Sequence, residues 1–173
     1  MKSWFRATYV DASAIIKILV DENGSSPVQK YFHKNSSCFR ITSLCFAEAL
    51  GVLKVKYFYQ KKITKKGYLN RSYLLVGWLR SRRILLDEVD LSDPKIFEEV
   101  ESVIKQHSID ISDAFQIVTI KRGKYKNFSG ESQSLLITAD EKLAKAARSE
   151  GIKVWECSHE PIPLGPNRAA ADR

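Results

Sequence analysis

Two kinds of apolar stretch alternate along the chain. The short ones are rich in β-branched residues and bounded by polar or turn residues, as buried strands are. They fall at Arg6 to Val10, at CFRIT, at ILLDEV, at LLIT and at KVWEC. The longer ones repeat apolar positions at helical spacing. They run from Ala12 to Val20, stopped by DENGSS, from Pro27 to Lys34, and through SLCFAEALGVL. Further on come Thr64 to Arg83, with Leu69, Tyr73, Val76 and Leu79 on one predicted face, Asp93 to His107, a helix headed by Ser112 and Asp113, and Glu141 to Glu150. Gly151 stops the last helix, and the polar GKYKNFSGESQS reads as a loop. Strands alternating with helices predict a central parallel sheet covered on both faces, a three-layer α/β/α domain. That domain is expected over residues 1–157, with an irregular C-terminal tail over 158–173.

Composition narrows the setting. The chain has 173 residues, 44% of them hydrophobic, enough for one core. Its longest apolar stretches fall far short of the roughly 18 residues a membrane span needs. The start, MKSWFRATYVDAS, lacks a secretory signal's apolar centre, so a cytoplasmic protein is expected. Cys38, Cys45 and Cys157 are odd in number and lack CxxC spacing, which predicts free thiols and no zinc site. His33, His107 and His159 are scattered and read as surface residues.

Charge is more informative, because the net +8 is unevenly placed. Ala49 to Leu86 holds Lys54, Lys56, Lys61, Lys62, Lys65, Lys66, Arg71, Arg80, Arg82 and Arg83 and no acidic residue, so it carries +10 and the remainder nets −2. Aromatic residues interleave it, and most are expected to pack inward. Its cationic face suits a polyanion, with nucleic acid the first candidate and Lys61, Lys62, Lys65, Lys66, Arg80, Arg82 and Arg83 the expected contacts. The alternatives are an acidic protein partner and a solvated face with no partner.

Four acids sit at the edges of apolar stretches: Asp11 in TYVDAS, Glu48 in ITSLCFAE, Asp113 in DISDAF and Asp140 in LLITAD. Two of them follow strands closely, and the carboxyl ends of parallel strands are where α/β folds place their ligand crevice. Glu48 and Asp113 fall at or near helix starts, where their side chains can reach the same crevice. Each acid also has a plainer reading as a helix cap or surface charge. Gathered together, carboxylates raise one another's pKa unless a cation neutralises them. Mg²⁺ or Mn²⁺, hard and oxygen-seeking, would do so and supply phosphoryl-transfer chemistry without a histidine.

The order and context of VDAS, TSLCFAE, SDAFQI and ITADEKLAKAARSEG resemble the PIN-domain nucleases, in particular the VapC-type ribonuclease toxins. The resembling segments frame residues from about Thr8 to Trp155. This resemblance implies a PIN-like fold and a Mg²⁺- or Mn²⁺-dependent endoribonuclease. Asp11 and Asp113 would be the primary metal ligands, completed by Glu48 and Asp140. It gives the site role to Asp113 over its neighbour Asp110, which is left to cap or support. It also places Ser13 and Thr138 where hydroxyl residues orient the carboxylates. A homodimer and a cognate antitoxin that blocks the site are implied as well. Two rival functions remain open: a non-catalytic RNA-binding module on the same fold, and a haloacid-dehalogenase-like phosphatase. The latter requires a second Asp two residues after the first, where this chain has Ser13.

Overall fold

Five parallel strands form one sheet, β1 (Thr8–Val10), β2 (Phe39–Ile41), β3 (Ile84–Leu86), β4 (Leu135–Thr138) and β5 (Lys153–Glu156), in the order β3-β2-β1-β4-β5. The structure, a computed structural model, describes residues 7–35, 37–126 and 134–163. The GKYKNFSGESQS loop and the tail after Leu164 thus lie largely outside the described residues. So does Arg6, the expected start of the first strand. The predicted parallel sheet is present. Its strands are short and most are buried throughout, as strands covered on both faces must be.

Among the described residues seven helices make the connections: α1 (Ala12–Leu19), α2 (Ser25–Lys34), α3 (Ser43–Phe58), α4 (Lys65–Arg80), α5 (Pro94–His107), α6 (Ile111–Arg122) and α7 (Glu141–Ser149). Six of them begin at a side-chain cap, of which Asp11, Asp110 and Asp140 are expected from sequence. Asp11, Thr42, Thr64, Asp93, Asp110 and Asp140 each accept a backbone N–H in the first turn. One core, with Val10, Ile41, Ile84, Ile137 and Trp155, packs the sheet against α1, α2 and α3. The other, with Tyr9 and Leu136, packs its opposite face against α5, α6 and α7. Period-two alternation along each strand divides side chains between these cores.

From β1 the chain winds outward through β2 and β3, then returns to pair β4 with β1 in register Val10 to Ile137. The winding therefore reverses between β1 and β4. Such a switch point opens a crevice beyond the strands' carboxyl ends, and Asp11 and Asp140 stand on its two sides.

One helix sits differently from its pattern. Leu69, Tyr73 and Val76, three of the four residues of the predicted α4 stripe, are exposed by 40%, 74% and 39%. The face that docks carries Tyr68, Leu75, Trp78 and Leu79, and only Leu75 is fully buried. Aromatic contacts decide the orientation: Trp78 packs 4.7 Å from Phe32, and Tyr68 stacks on Tyr57 at 5.4 Å and 8°. Arg71 secures the same face, its Nε donating to the Leu19 carbonyl at 2.8 Å. The expectation that the aromatics turn inward thus holds for Tyr57, Tyr68 and Trp78, whereas Phe58, Tyr59 and Tyr73 face solvent.

Candidate active site

Asp11 ends β1 and caps α1, and it is 3% exposed. Its Oδ2 accepts from the Ser13 amide at 3.0 Å, the Ser13 hydroxyl at 2.5 Å and the Thr138 hydroxyl at 3.1 Å. Each hydroxyl in turn accepts a backbone N–H: Ala139 donates to Ser13 Oγ at 2.8 Å and Asp140 to Thr138 Oγ1 at 2.9 Å. A hydroxyl has one proton to donate, and here both protons point at Asp11. The network fixes one carboxylate oxygen and leaves Oδ1 turned toward the Cys45 thiol, 3.9 Å away. Burial pushes the Asp11 carboxyl above the ordinary range, against the pull of these hydrogen bonds.

Asp113 enters from the opposite side, in the first turn of α6. Its backbone N–H is held by the cap, donating to Asp110 Oδ1 at 3.1 Å. One turn later the buried Gln116 donates to the Val10 carbonyl at 3.2 Å, tying the helix to the end of β1. Among the described residues no donor satisfies the Asp113 carboxylate. Its pKa is pushed up to about 8, by burial first and then by Asp11, Asp110, Asp140 and Glu48. Glu48, in the second turn of α3, is raised by burial and then by Asp11, Asp110 and Asp140, against the hydrogen bond from Ser112. Ser112 Oγ donates to Glu48 Oε2 at 2.7 Å and stands 3.0 Å from Asp110 Oδ1. Asp140 caps α7, its Oδ1 accepting from the amides of Lys142 at 2.7 Å and Leu143 at 3.0 Å.

The acids singled out from sequence are therefore brought to one edge of the sheet, each within electrostatic reach of others. Burial and then mutual repulsion disfavour the ionised carboxylates, and a cation would offset both. An all-oxygen, anionic donor set suits a hard divalent cation in chemistry. In spacing it is not yet a cage: among the described residues, no three acidic, histidine or cysteine side chains stand close enough to share one ion. Three participants were not singled out by sequence reasoning: Ser112, Gln116 and the thiol of Cys45. Only Ser112 had a legible signal, its place beside Asp113. The histidines lie elsewhere, His107 against Glu150 at 2.8 Å and His159 against Glu156 at 2.9 Å.

A family model for the PIN domain matches residues 8–149. The chain belongs to the PIN-domain family. PIN domains are generally nucleases. No curated protein matches the chain. Among solved structures, it is similar to PAE2754 from Pyrobaculum aerophilum, with a TM-score of 0.55 and 17% identity over 86% of this chain and 83% of that one. It is also similar to FitAcB from Neisseria gonorrhoeae, with a TM-score of 0.52 and 16% identity over 88% of this chain and 99% of that one. At such identities these likenesses speak for the fold.

The basic segment of this PIN domain lies apart from the acids. After Glu48, α3 continues ten residues to Phe58, roughly 15 Å at 1.5 Å per residue, before Lys61, Lys62, Lys65 and Lys66 occur. Arg80, Arg82 and Arg83 lie just before β3, at the amino ends of the strands, opposite the acid edge. There the Phe39 amide donates to the Arg83 carbonyl at 3.0 Å. The Arg83 guanidinium is engaged internally, donating to the carbonyls of Ser37 at 2.8 Å and of Phe32, and lying 4.5 Å over the Phe32 ring. Lys56 pairs with Glu22 at 2.7 Å. The cations of this segment that face solvent are Lys54, Lys61, Lys62, Lys65, Lys66, Arg80 and Arg82. The free thiols Cys45 and Cys157 are buried, and Cys38 is half-buried. No helix among the described residues is long and apolar enough to cross a membrane.

Proposed function

We propose that this PIN domain is a Mg²⁺- or Mn²⁺-dependent endoribonuclease acting at the crevice beyond β1 and β4, and that it is the toxin of a toxin–antitoxin pair. One observation carries the catalytic part: Asp113 sits at the sheet's switch point without a hydrogen-bond donor among the described residues, its carboxyl pushed up by burial first and then by Asp11, Asp110, Asp140 and Glu48. An ion bound there would lower the pKa of a water it holds and offset charge on the phosphate. Asp11 Oδ1 and Asp113 are the oxygens best placed to receive it, with Glu48 and Asp140 completing the set. Ser13 and Thr138 hold Asp11 in one orientation through Oδ2, which leaves Oδ1, beside the Cys45 thiol, as the oxygen to offer an ion. Ser112 does the same for Glu48. Asp110 holds the start of α6 and adds negative charge.

The basic α3–α4 hairpin would draw RNA to the protein electrostatically. Its exposed Leu69, Tyr73 and Val76, set among cations, also fit an acidic amphipathic segment, the chemistry expected of an antitoxin that covers the toxin. A homodimer belongs to the same reading.

The test is cleavage of single-stranded RNA by purified protein with Mg²⁺, with Mn²⁺ and with EDTA. Wild type should cut only with a divalent ion. Asp113→Asn and Asp11→Asn, which remove ligand charge and almost no volume, should abolish cutting while keeping the fold. Cleavage that survives EDTA, or survives either substitution, would contradict the assignment.

A further inference from the structure

A crevice lined by carboxylates repels the polyanion assigned to it, so cations must flank it to hold the strand. On the hairpin, exposed Lys54 lies six residues, roughly 9 Å, beyond Glu48, the lysines from Lys61 on begin more than roughly 15 Å beyond it, and the arginines lie at the other end of the sheet. Between the end of α5 and the outer face of α7 opens a cleft of about 300 Å³. Gln106, His107, Ser108, Lys142, Lys145 and Ser149 line it, and no carboxylate does. Each of its walls is joined in sequence to an acid of the site. Ser108 stands two residues before Asp110, at a left-handed turn (φ 53°) that ends α5 and aims the chain at the α6 cap. Lys142 stands two residues after Asp140, which accepts its backbone N–H at 2.7 Å.

Lys142 and Lys145, three residues apart, share a face of α7. Both are exposed, and neither joins an ion pair among the described residues. His107, by contrast, is taken by Glu150 at 2.8 Å. Two uncompensated ammonium groups beside neutral hydroxyl and amide donors make a seat for a phosphate, which lysine binds as a point charge.

We infer that this cleft holds a backbone phosphate of the RNA strand next to the one placed at the acids. Lys142 and Lys145 are its charged contacts, and Gln106, Ser108 and Ser149 its neutral ones. The inference rests on the ribonuclease reading and adds to it a strand path along α7, away from the α3–α4 hairpin.

The experiment measures binding of a short labelled single-stranded RNA across a salt series, on the Asp113→Asn background so that no cleavage intervenes. Each lost phosphate contact should flatten the slope of log K against log salt by roughly 0.7, about fivefold in affinity at 0.1 M salt. Lys142→Gln with Lys145→Gln should therefore weaken binding on the order of 25-fold and flatten the slope by about 1.4. Lys34→Gln with Lys153→Gln removes the same two charges from exposed sites near the amino ends of the strands, and should do far less. Lys142→Arg with Lys145→Arg should restore the parent slope. Equal effects from the two Gln pairs would overturn the inference, reducing it to net charge. So would an unchanged slope in the cleft pair, and in both cases the ribonuclease reading stands if Asp113→Asn still abolishes cutting. A parent protein that binds no RNA at any salt would overturn both together.

Discussion

The acidic edge of the sheet and the basic α3–α4 hairpin are opposites in more than charge. At the edge, polar groups are buried and their hydrogen bonds are fixed by the main fold, with Asp11 3% exposed and held by two hydroxyls whose lone pairs are themselves satisfied. In the hairpin, charges face water, apolar side chains are left uncovered, and a single fully buried residue of α4, Leu75, anchors that helix to the core. Preorganised polar groups in a shielded site suit chemistry, because they need not rearrange when charge develops. A solvated, loosely anchored cationic face suits capture at a distance. Substitutions at the edge should therefore change turnover, and substitutions on the hairpin should change encounter.

The largest effect that sharpens this contrast is expected behind Asp11. Thr138→Ala and Ser13→Ala each remove a hydroxyl that orients the carboxylate without touching its charge. By the usual cost of losing a ligand's outer partner, each should lower metal affinity or cleavage by roughly 10–100-fold. Activity titrated with Mg²⁺ would read the change as a shifted metal dependence, and an unaltered titration in both variants would deny the hydroxyls their role.

A smaller and different effect belongs to the hairpin. Replacing Lys61, Lys62, Lys65 and Lys66 together by Gln should slow RNA association and flatten its salt dependence. The single-turnover cleavage rate at saturating RNA should stay within about twofold, since rim charges act on association more than on chemistry. A fall in that saturating rate comparable to the Thr138→Ala loss would erase the distinction between the two regions.

Much of the edge was legible in sequence because its residues announce themselves locally. Asp11 and Asp140 each follow a strand and precede a helix, and a parallel sheet brings such junctions together wherever they lie in the chain. Their roles as helix caps were readable for the same reason. Gln116 gave no such signal. It sits inside an apolar helix and matters only because α6 crosses the end of β1, a contact between residues 106 positions apart. The hairpin was misjudged where periodicity alone was asked to choose a buried face. Leu69, Tyr73 and Val76 form a proper stripe, yet Trp78 and Tyr68 bury more area and found aromatic partners, so they set the rotation of α4. The unopposed charge was likewise overcounted, because Glu22, outside the segment, pairs with Lys56.

The central proposal, that these carboxylates receive a divalent cation, is tested most directly by thermal unfolding of wild type and Asp113→Asn with and without divalent ions. The folded Asp113 titrates at about 8, well above the ordinary carboxyl value near 4. Between those values the folded state binds more protons than the unfolded state, so this group's contribution to metal-free stability falls as pH rises. In chelator, Asp113→Asn should therefore melt above wild type, with a gap that widens from about pH 5 to about pH 8. The gap should reach a few degrees, at ~2–4 °C per kcal/mol for a chain of this size. Added Mg²⁺ or Mn²⁺ should then raise the wild-type melting temperature by mass action and raise the variant's much less. Wild type and variant with the same pH dependence and the same response to metal would contradict the account.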